Sequence, residues 1–123
     1  QQGALLRLEP IKARRGTEQV YTAEQALRGK SAYTQNCSAC HQANLSGIAQ
    51  IPALKGDTFL DKWGKLGDLV DRMHMTMPPT APGSLSQNTY FDIVAYLLQM
   101  NGLPAGHAEL RGASPGLQDP IGN

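Results

Sequence analysis

The only two cysteines in the chain stand three positions apart and are followed at once by a histidine, in the run Cys37-Ser38-Ala39-Cys40-His41. Thiols at this spacing serve three kinds of chemistry: a redox-active disulfide, a metal site, or haem attachment through two thioethers. A thioredoxin-like disulfide site requires a βαβ context, whereas the surrounding sequence predicts helices. A structural zinc site requires four ligands, and a second Cys/His pair at ligand spacing is missing. The pattern therefore favours covalent haem attachment, with His41 as the proximal iron ligand.

An iron that only carries electrons usually takes a second axial ligand. Six side chains beyond the motif are candidates: Met73, His74, Met75, Met77, Met100 and His107. Met77 is favoured because Pro78 and Pro79 follow it. Proline ends a helix and restricts the residue before it, so Met77 should project its thioether from the point where a helix meets a stiff loop. Met75 is the rival, since it lies only two residues away.

The other candidates have simpler interpretations. Met73 lies on an apolar stripe and Met100 ends the last predicted helix, so both are expected to pack in the core. His74 would give a bis-histidine iron, but an exposed surface histidine explains it as well. A His/Met pair raises the reduction potential relative to two nitrogen ligands, because a thioether favours Fe(II). Six-coordinate iron has no open position for oxygen or peroxide, which favours electron transfer; a labile sixth ligand would instead indicate a haem enzyme.

The composition suits one small domain. The chain has 123 residues, of which 41% are hydrophobic and 6% aromatic, so something other than aromatic side chains is expected to fill the interior. The net charge of +1 does not suggest a nucleic-acid partner, and no apolar run approaches the roughly 20 residues of a membrane helix. Residues 1–20 carry four basic and two acidic groups and are predicted to form either a solvated tail or a docking arm. A start at Gln1 is expected of a processed, exported protein and equally of a trimmed chain.

Apolar residues recur at helical spacing, and no convincing strand alternation is present. The first helix is predicted to begin after Thr22, a natural N-cap with Gln25 at the capping-box spacing, and to run to about Asn36. Its small and apolar stripe comprises Ala26, Gly29, Ala32 and Tyr33. Shorter helical segments are predicted over 68–74 and 59–63.

The last helix is predicted to begin after the N-cap Ser86, with Leu85 placed to contact Tyr90 as a hydrophobic staple. Asn101 and Gly102 supply its stop, and a proline follows. The wide apolar face of this helix comprises Ile93, Val94, Tyr96, Leu97 and Met100.

These features resemble a small class I c-type cytochrome. The resemblance rests on the capped first helix, the Cys-x-x-Cys-His motif, a loop at 51–56, the Met-Pro-Pro run at 77–79 and the apolar segment 92–98. The family has an all-α fold in which the N- and C-terminal helices cross over a covalently bound haem. The resemblance implies three segments, namely an N-terminal extension (1–20), a cytochrome c domain (21–106) and a C-terminal tail (107–123).

The same resemblance gives Gly29 and Tyr33 a structural role. Glycine in a helix interior costs about 1 kcal/mol relative to alanine, so its presence needs a reason. In the family, a glycine here permits the close crossing of the two helices, and Tyr33 would meet Ile93 and Tyr96. A larger residue at position 29 would push the helices apart.

By resemblance, one haem c is attached and ligated by two thioether cysteines, a histidine and a methionine: Cys37, Cys40, His41 and Met77. Pro52 matches the proline whose carbonyl accepts the Nδ1–H of the proximal histidine, a bond that fixes the ring and makes it a better donor. Leu54 would pack on the haem face. Trp63 would donate its indole N–H to a haem propionate or would simply pack. Lys55 and Arg72 are candidates for offsetting the propionate charge.

The last third of the chain is similar to cytochromes associated with bacterial quinoprotein (PQQ) alcohol dehydrogenases. This similarity rests on Met77-Pro78-Pro79 and on residues 82–86 and 95–102. It implies a periplasmic, exported one-electron carrier, not an enzyme, that accepts electrons from a dehydrogenase and passes them to a cytochrome or oxidase of the respiratory chain. The alternative is a cytochrome subunit bound tightly within a quinoprotein or flavoprotein dehydrogenase complex.

Class I cytochromes generally dock their redox partners at the exposed haem edge near the attachment cysteines. Because the net charge is close to zero, docking is expected to depend on weak apolar contacts rather than on electrostatic steering. The candidate rim residues are Ala39, Ile48, Ala49, Met75, Pro78 and Pro79, which would otherwise be ordinary exposed apolar surface.

Overall fold

The computed structural model describes residues 20–47, 51–56, 59 and 66–112. Within these ranges the regular elements are four helices, α1 (Ala23–Asn36), α2 (Ser38–His41), α3 (Leu66–Thr76) and α4 (Gln87–Met100). The predictions made for residues 1–19, Ile48, Ala49 and Trp63 lie outside the described residues. So does the predicted helical segment at 59–63, except for Phe59, which is buried.

Helix α1 begins as predicted, because the Thr22 hydroxyl accepts a hydrogen bond of 3.1 Å from the Gln25 backbone N–H. The Gln25 side chain, however, does not complete a capping box. Its Nε2 donates to the Leu110 carbonyl at 3.0 Å, and its Oε1 accepts from the Leu110 N–H at 2.7 Å. A buried side-chain amide needs hydrogen-bond partners, and the Leu110 backbone supplies one for its nitrogen and one for its oxygen.

The segment after Gly106 therefore contributes to the packed body. Leu110 is only 1% exposed, although the sequence analysis assigned it to the C-terminal tail. The Gly106 N–H also donates to the Tyr21 carbonyl at 2.7 Å, just before α1 begins. Arg28 of α1 reaches Glu109 with an Nη2–Oε1 distance of 2.6 Å. Local sequence patterns do not contain these contacts, because each joins residues more than 80 positions apart.

Helices α1 and α4 cross at Gly29. A Cβ atom added to this glycine would lie 1.8 Å from the Asp92 carbonyl oxygen and 3.0 Å from the Cβ of Tyr96. Next to the crossing, the rings of Tyr33 and Tyr96 pack with their centroids 5.5 Å apart. The predicted role of Gly29 in a close helix crossing is confirmed.

Helix α4 supplies more of the buried apolar residues than any other described helix. Ser86 caps it through a 3.1 Å hydrogen bond from the Thr89 N–H to the Ser86 hydroxyl, and Asn101 follows its last residue, as predicted. Its buried residues are Tyr90, Phe91, Ile93, Val94, Ala95, Tyr96, Leu97 and Leu98. The expectation that Met100 packs in the core is wrong, because its side chain is 40% exposed at the helix end.

Helix α3 extends two residues beyond the predicted range at each end. Its buried side consists of Leu66, Leu69 and Val70, and Met73 packs against the same apolar cluster, as expected. Among the described residues, none of the helices combines the length and the apolar character that a membrane span requires.

Candidate haem-binding site

The Cys-x-x-Cys-His motif forms a single helical turn at the end of α1. The His41 and Cys40 backbone N–H groups both donate to the Cys37 carbonyl, at 3.0 and 3.2 Å. Residues three and four positions apart in such a turn lie on one side of it. Cys37 is half-buried and Cys40 is exposed, and both carry free thiols. The turn therefore presents two thiols and an imidazole together.

The end of this turn is fixed to α1. The Tyr33 hydroxyl donates to the Gln42 carbonyl at 2.6 Å, and the Ser38 hydroxyl donates to the Thr34 carbonyl at 2.8 Å. Tyr33 thus contacts both α4 and the residue after His41. Burial raises the pKa of the Tyr33 phenol, which keeps it protonated as a donor. The helix crossing and the motif are consequently held by one side chain.

The His41 imidazole is 6% exposed, and its Nδ1 lies 2.8 Å from the carbonyl oxygen of Pro52. A carbonyl oxygen only accepts hydrogen bonds, so Nδ1 carries the proton. Nε2 then keeps its lone pair and can bind a metal, and the bond to Pro52 fixes the ring orientation. This is the contact that the family resemblance implied for Pro52; its bearing on haem ligation stays a prediction.

A glycine makes room for the segment that carries Pro52. Gly47 has φ +73°, and a Cβ added to it would lie 2.3 Å from the Ile51 carbonyl oxygen and 2.8 Å from the Pro52 carbonyl carbon. The Gly47 N–H donates to the His41 carbonyl at 2.9 Å. Only glycine satisfies both the left-handed backbone and the close approach. Gly47 therefore lets the chain turn back from His41 and bring Pro52 onto the imidazole.

Asn101 holds the other end of the same segment. Its Nδ2 donates to the Leu54 carbonyl at 3.1 Å and to the Leu97 carbonyl at 2.7 Å, and its Oδ1 accepts from the Gly56 N–H at 2.8 Å. Leu54 itself is half-buried and packs against the apolar cluster. The sequence identified Asn101 only as a helix stop. Its contacts with residues 54 and 56 could not be found from local spacing.

The pKa of the Cys37 thiol bears on whether the motif could form a redox-active disulfide. Burial raises the pKa of the Cys37 thiol to about 11. The reactive cysteine of a disulfide oxidoreductase attacks as a thiolate and has a lowered pKa. The raised pKa of Cys37 is the opposite of what a redox-active disulfide requires.

The two rival methionines differ in position and in exposure. Helix α3 ends at Thr76, and the Met77 N–H donates to the Met73 carbonyl at 2.8 Å, so Met77 lies where the helix gives way to the loop. Met77 is half-buried, whereas Met75 is 72% exposed. The Met77 carbonyl accepts a 2.7 Å hydrogen bond from the Tyr90 hydroxyl, a contact that the sequence analysis did not anticipate.

The remaining predicted residues lie at the surface. Lys55 and Arg72 are exposed. His74 is also exposed, and its ring forms a T-shaped pair with the Tyr90 ring at a centroid distance of 5.2 Å. Of the predicted docking rim, the exposed members among the described residues are Ala39, Met75 and Pro79, and Pro78 is half-buried.

Taken together, the donor set fits haem c. Two free thiols would form the thioethers, His41 offers Nε2 from a fixed ring, and Met77 offers a thioether sulfur. Crossed helices with this motif at the end of the first helix define the class of protein: a c-type cytochrome domain.

Comparison with known proteins places the chain in a family. Residues 24–97 match the protein family described as cytochrome c oxidase, cbb3-type, subunit III, and the chain belongs to that family. No individual curated protein sequence matches it significantly. Among solved structures, a chain of the sulfane dehydrogenase SoxCD from Paracoccus pantotrophus aligns with a TM-score of 0.58 and 23% identity over 80% of this chain. The alignment covers 59% of that other chain, and at this identity it supports the fold alone.

The fold is thus the all-α fold of a small cytochrome c, as the sequence predicted. Residues 24–97 thus form a domain of a cytochrome c family, whose members transfer electrons through haem iron.

Proposed function

We propose that this protein is a periplasmic, one-electron carrier with a single haem c attached through thioethers to Cys37 and Cys40. His41 and Met77 are the proposed axial ligands. The observation that carries the proposal is the 2.8 Å contact between His41 Nδ1 and the Pro52 carbonyl, because it leaves Nε2 as a fixed ligand beside two free thiols. Leu54 is proposed to pack on the haem face, and Trp63 is proposed either to donate its indole N–H to a haem propionate or to pack in the haem pocket.

When bound, haem c supplies an Fe(II)/Fe(III) couple. The protein's residues would tune the reduction potential of that couple through the two axial ligands. Pro52 keeps the proton on Nδ1 of His41 and strengthens Nε2 as a donor. Met77 contributes a soft thioether that favours the reduced state. Both ligands lie at helix ends whose backbones are fixed by hydrogen bonds, so little rearrangement accompanies a change of charge.

The proposed donor is a dehydrogenase, with a PQQ-dependent one as the specific candidate, and the proposed acceptor is a cytochrome or an oxidase. Ala39 and Cys40 are exposed on the motif turn, and Met75 and Pro79 are exposed around the end of α3. An apolar surface of this kind suits weak, transient docking. Residues 1–20 are the proposed N-terminal extension, residues 21–106 the proposed cytochrome c domain and residues 107–123 the proposed C-terminal tail. Leu110 of that tail is buried.

The spectrum of the protein in denaturing alkaline pyridine tests the attachment. We expect the bands of haem with both vinyl groups saturated, and retention of the haem on extraction with acidified acetone. Cys37→Ala and Cys40→Ala should each give the spectrum of a haem with one thioether, whereas Ser38→Ala, in the same turn, should leave it unchanged. Extraction of all haem from the wild-type protein would contradict covalent attachment.

A second candidate function is a cytochrome subunit bound stably within a larger complex. The observation that favours it is the family itself, whose description names a subunit of an oxidase. Gel filtration of a native extract separates the two candidates. Elution at the size of a free small protein supports the mobile carrier, and coelution with a much larger redox protein supports the bound subunit.

A further inference from the structure

We propose that Tyr90 is a positioning residue for the axial methionine, acting through the backbone of Met77. This inference rests on the proposed function, because it requires Met77 to be an iron ligand. Its basis is the 2.7 Å hydrogen bond that the Tyr90 hydroxyl donates to the Met77 carbonyl. Tyr90 belongs to the first turn of α4 and is only 1% exposed.

The bond to Tyr90 completes the attachment of the Met77 backbone. The Met77 N–H is held by the Met73 carbonyl at 2.8 Å, which sets its position relative to α3. The carbonyl has only one other described backbone partner, the Gly83 N–H at 3.4 Å, which is a long bond. Without the Tyr90 hydroxyl, the peptide after Met77 would therefore lose its stronger contact on the α4 side.

The phenol is itself held in place by several contacts. The Leu85 N–H approaches the Tyr90 oxygen at 3.4 Å, and the His74 and Tyr90 rings pack with an angle of 68° between their planes. The Tyr90 backbone N–H donates to the Ser86 carbonyl at 3.1 Å, in the turn that Ser86 caps. The oxygen that holds Met77 is thus fixed by α3, by the intervening loop and by α4.

Its chemical role follows from this geometry. A thioether is a weak ligand for Fe(III), so its occupancy depends on how well the protein holds it in place. Tyr90 limits rotation of the Met77 peptide and so lowers the chance that the thioether leaves the iron. Its removal should make the sixth position easier for another ligand to occupy, without removing any group that touches the haem iron.

Imidazole binding to the ferric holoprotein measures this effect. Loss of one hydrogen bond of ordinary strength predicts that Tyr90→Phe raises the affinity for imidazole about tenfold. The matched control is Tyr96→Phe, which removes a hydroxyl from a buried tyrosine of the same helix whose ring packs on Tyr33. It should change the affinity less than about twofold if both variants unfold at similar denaturant concentrations. Equal affinities in the two variants would overturn the inference.

The outcomes separate the inference from the proposed function. If the wild-type protein shows the far-red band of methionine-ligated ferric haem but Tyr90→Phe behaves like Tyr96→Phe, only the role of Tyr90 is rejected. If the wild-type protein lacks that band, the ligand assignment fails, and the inference fails with it. If Tyr90→Phe yields no holoprotein, Ser86→Ala replaces it, because it loosens the turn that carries Tyr90 and keeps the phenol. A severalfold rise in imidazole affinity then supports the inference, and an unchanged affinity rejects it.

Discussion

The Cα of Gly29 faces the backbone carbonyl of Asp92 so closely that a Cβ atom would lie 1.8 Å from the oxygen and 2.5 Å from the carbon. Both atoms belong to helix backbone and cannot move by a change of rotamer. The separation of α1 and α4 is therefore set at this point by the absence of a side chain. Tyr33 and Tyr96 then pack beside the crossing and extend the contact toward the motif.

Gly29→Ala should destabilise the protein. The methyl group forces the helices apart, and overpacking of this kind typically costs about 1–3 kcal/mol or more. The gain in helix propensity from alanine is about 1 kcal/mol, so the steric cost should dominate. Urea unfolding of the holoprotein measures the change. Gly112→Ala is the control, since its Cβ would meet Gln87 Nε2 at an ordinary 3.6 Å; equal midpoints for the two variants would contradict the argument.

Met77→Ala should abolish the weak far-red absorption band that a methionine ligand gives to ferric haem. Met75→Ala should retain it, because the Met75 side chain is 72% exposed and Met77 is half-buried at the helix end. Absorbance of the oxidised proteins decides between them. Loss of the band in the Met75 variant alone would assign the ligand to Met75. Absence of the band in the wild-type protein would exclude a methionine ligand and leave either His74 as the ligand or an open sixth position, as in a haem enzyme.

Gly47→Ala should raise the reduction potential of the haem iron, in addition to lowering stability. The new Cβ would displace the segment 51–53 and weaken the bond from His41 Nδ1 to the Pro52 carbonyl. A histidine without that acceptor is a weaker donor to Fe(III), so the reduction potential should rise. A redox titration against the wild-type protein measures the shift.

The control for this variant is Gly56→Ala. Gly56 also has a positive φ of +92°, but an added Cβ would meet nothing within 4 Å. Both variants therefore carry the cost of a left-handed alanine, about 1–2 kcal/mol, and only Gly47→Ala carries the clash. Equal reduction potentials in the two variants would show that Gly47 does not act through Pro52.

Glu109→Gln should remove a contribution to stability that disappears in acid. The hydrogen bond from Arg28 lowers the pKa of the Glu109 carboxyl below its usual value. The folded state thus binds the proton less readily than the unfolded state. The contribution is present above the unfolded pKa of about 4.3 and is lost as the pH falls through the folded value.

Thermal unfolding of both proteins as a function of pH tests this prediction. The difference between the wild-type protein and Glu109→Gln should be within about 1 kcal/mol at neutral pH, because the pair is partly exposed, and should shrink below pH ~4. Asp71→Asn, which removes the charge of an exposed carboxylate on α3, is the control for the change in net charge. A difference that stays constant down to low pH would show that Glu109 acts through packing rather than through its charge.

Local signals were sufficient for much of the architecture. Thr22 and Ser86 cap the helices that they were predicted to cap, and the glycine at position 29 lies at the crossing. These features depend on residue type and short-range spacing, which the sequence contains directly. The motif turn and the position of Met77 after α3 belong to the same group.

The hydrogen bonds that position the site could not be predicted in this way, because they join residues far apart in the sequence. Asn101 was predicted only as a helix stop, and its amide also holds residues 54 and 56. Gln25 was predicted to form a capping box, and its amide pairs with Leu110. A polar side chain satisfies its hydrogen bonds with whatever the folded chain brings near it, so its partner cannot be found from local periodicity.

The pairing of Gly106 with Tyr21, together with that of Leu110 with Gln25, places the entry and the exit of the packed domain side by side. A unit whose two ends meet can be joined to other polypeptide at either end without deforming its interior. The same domain geometry therefore suits both a freestanding carrier and a module within a larger redox assembly.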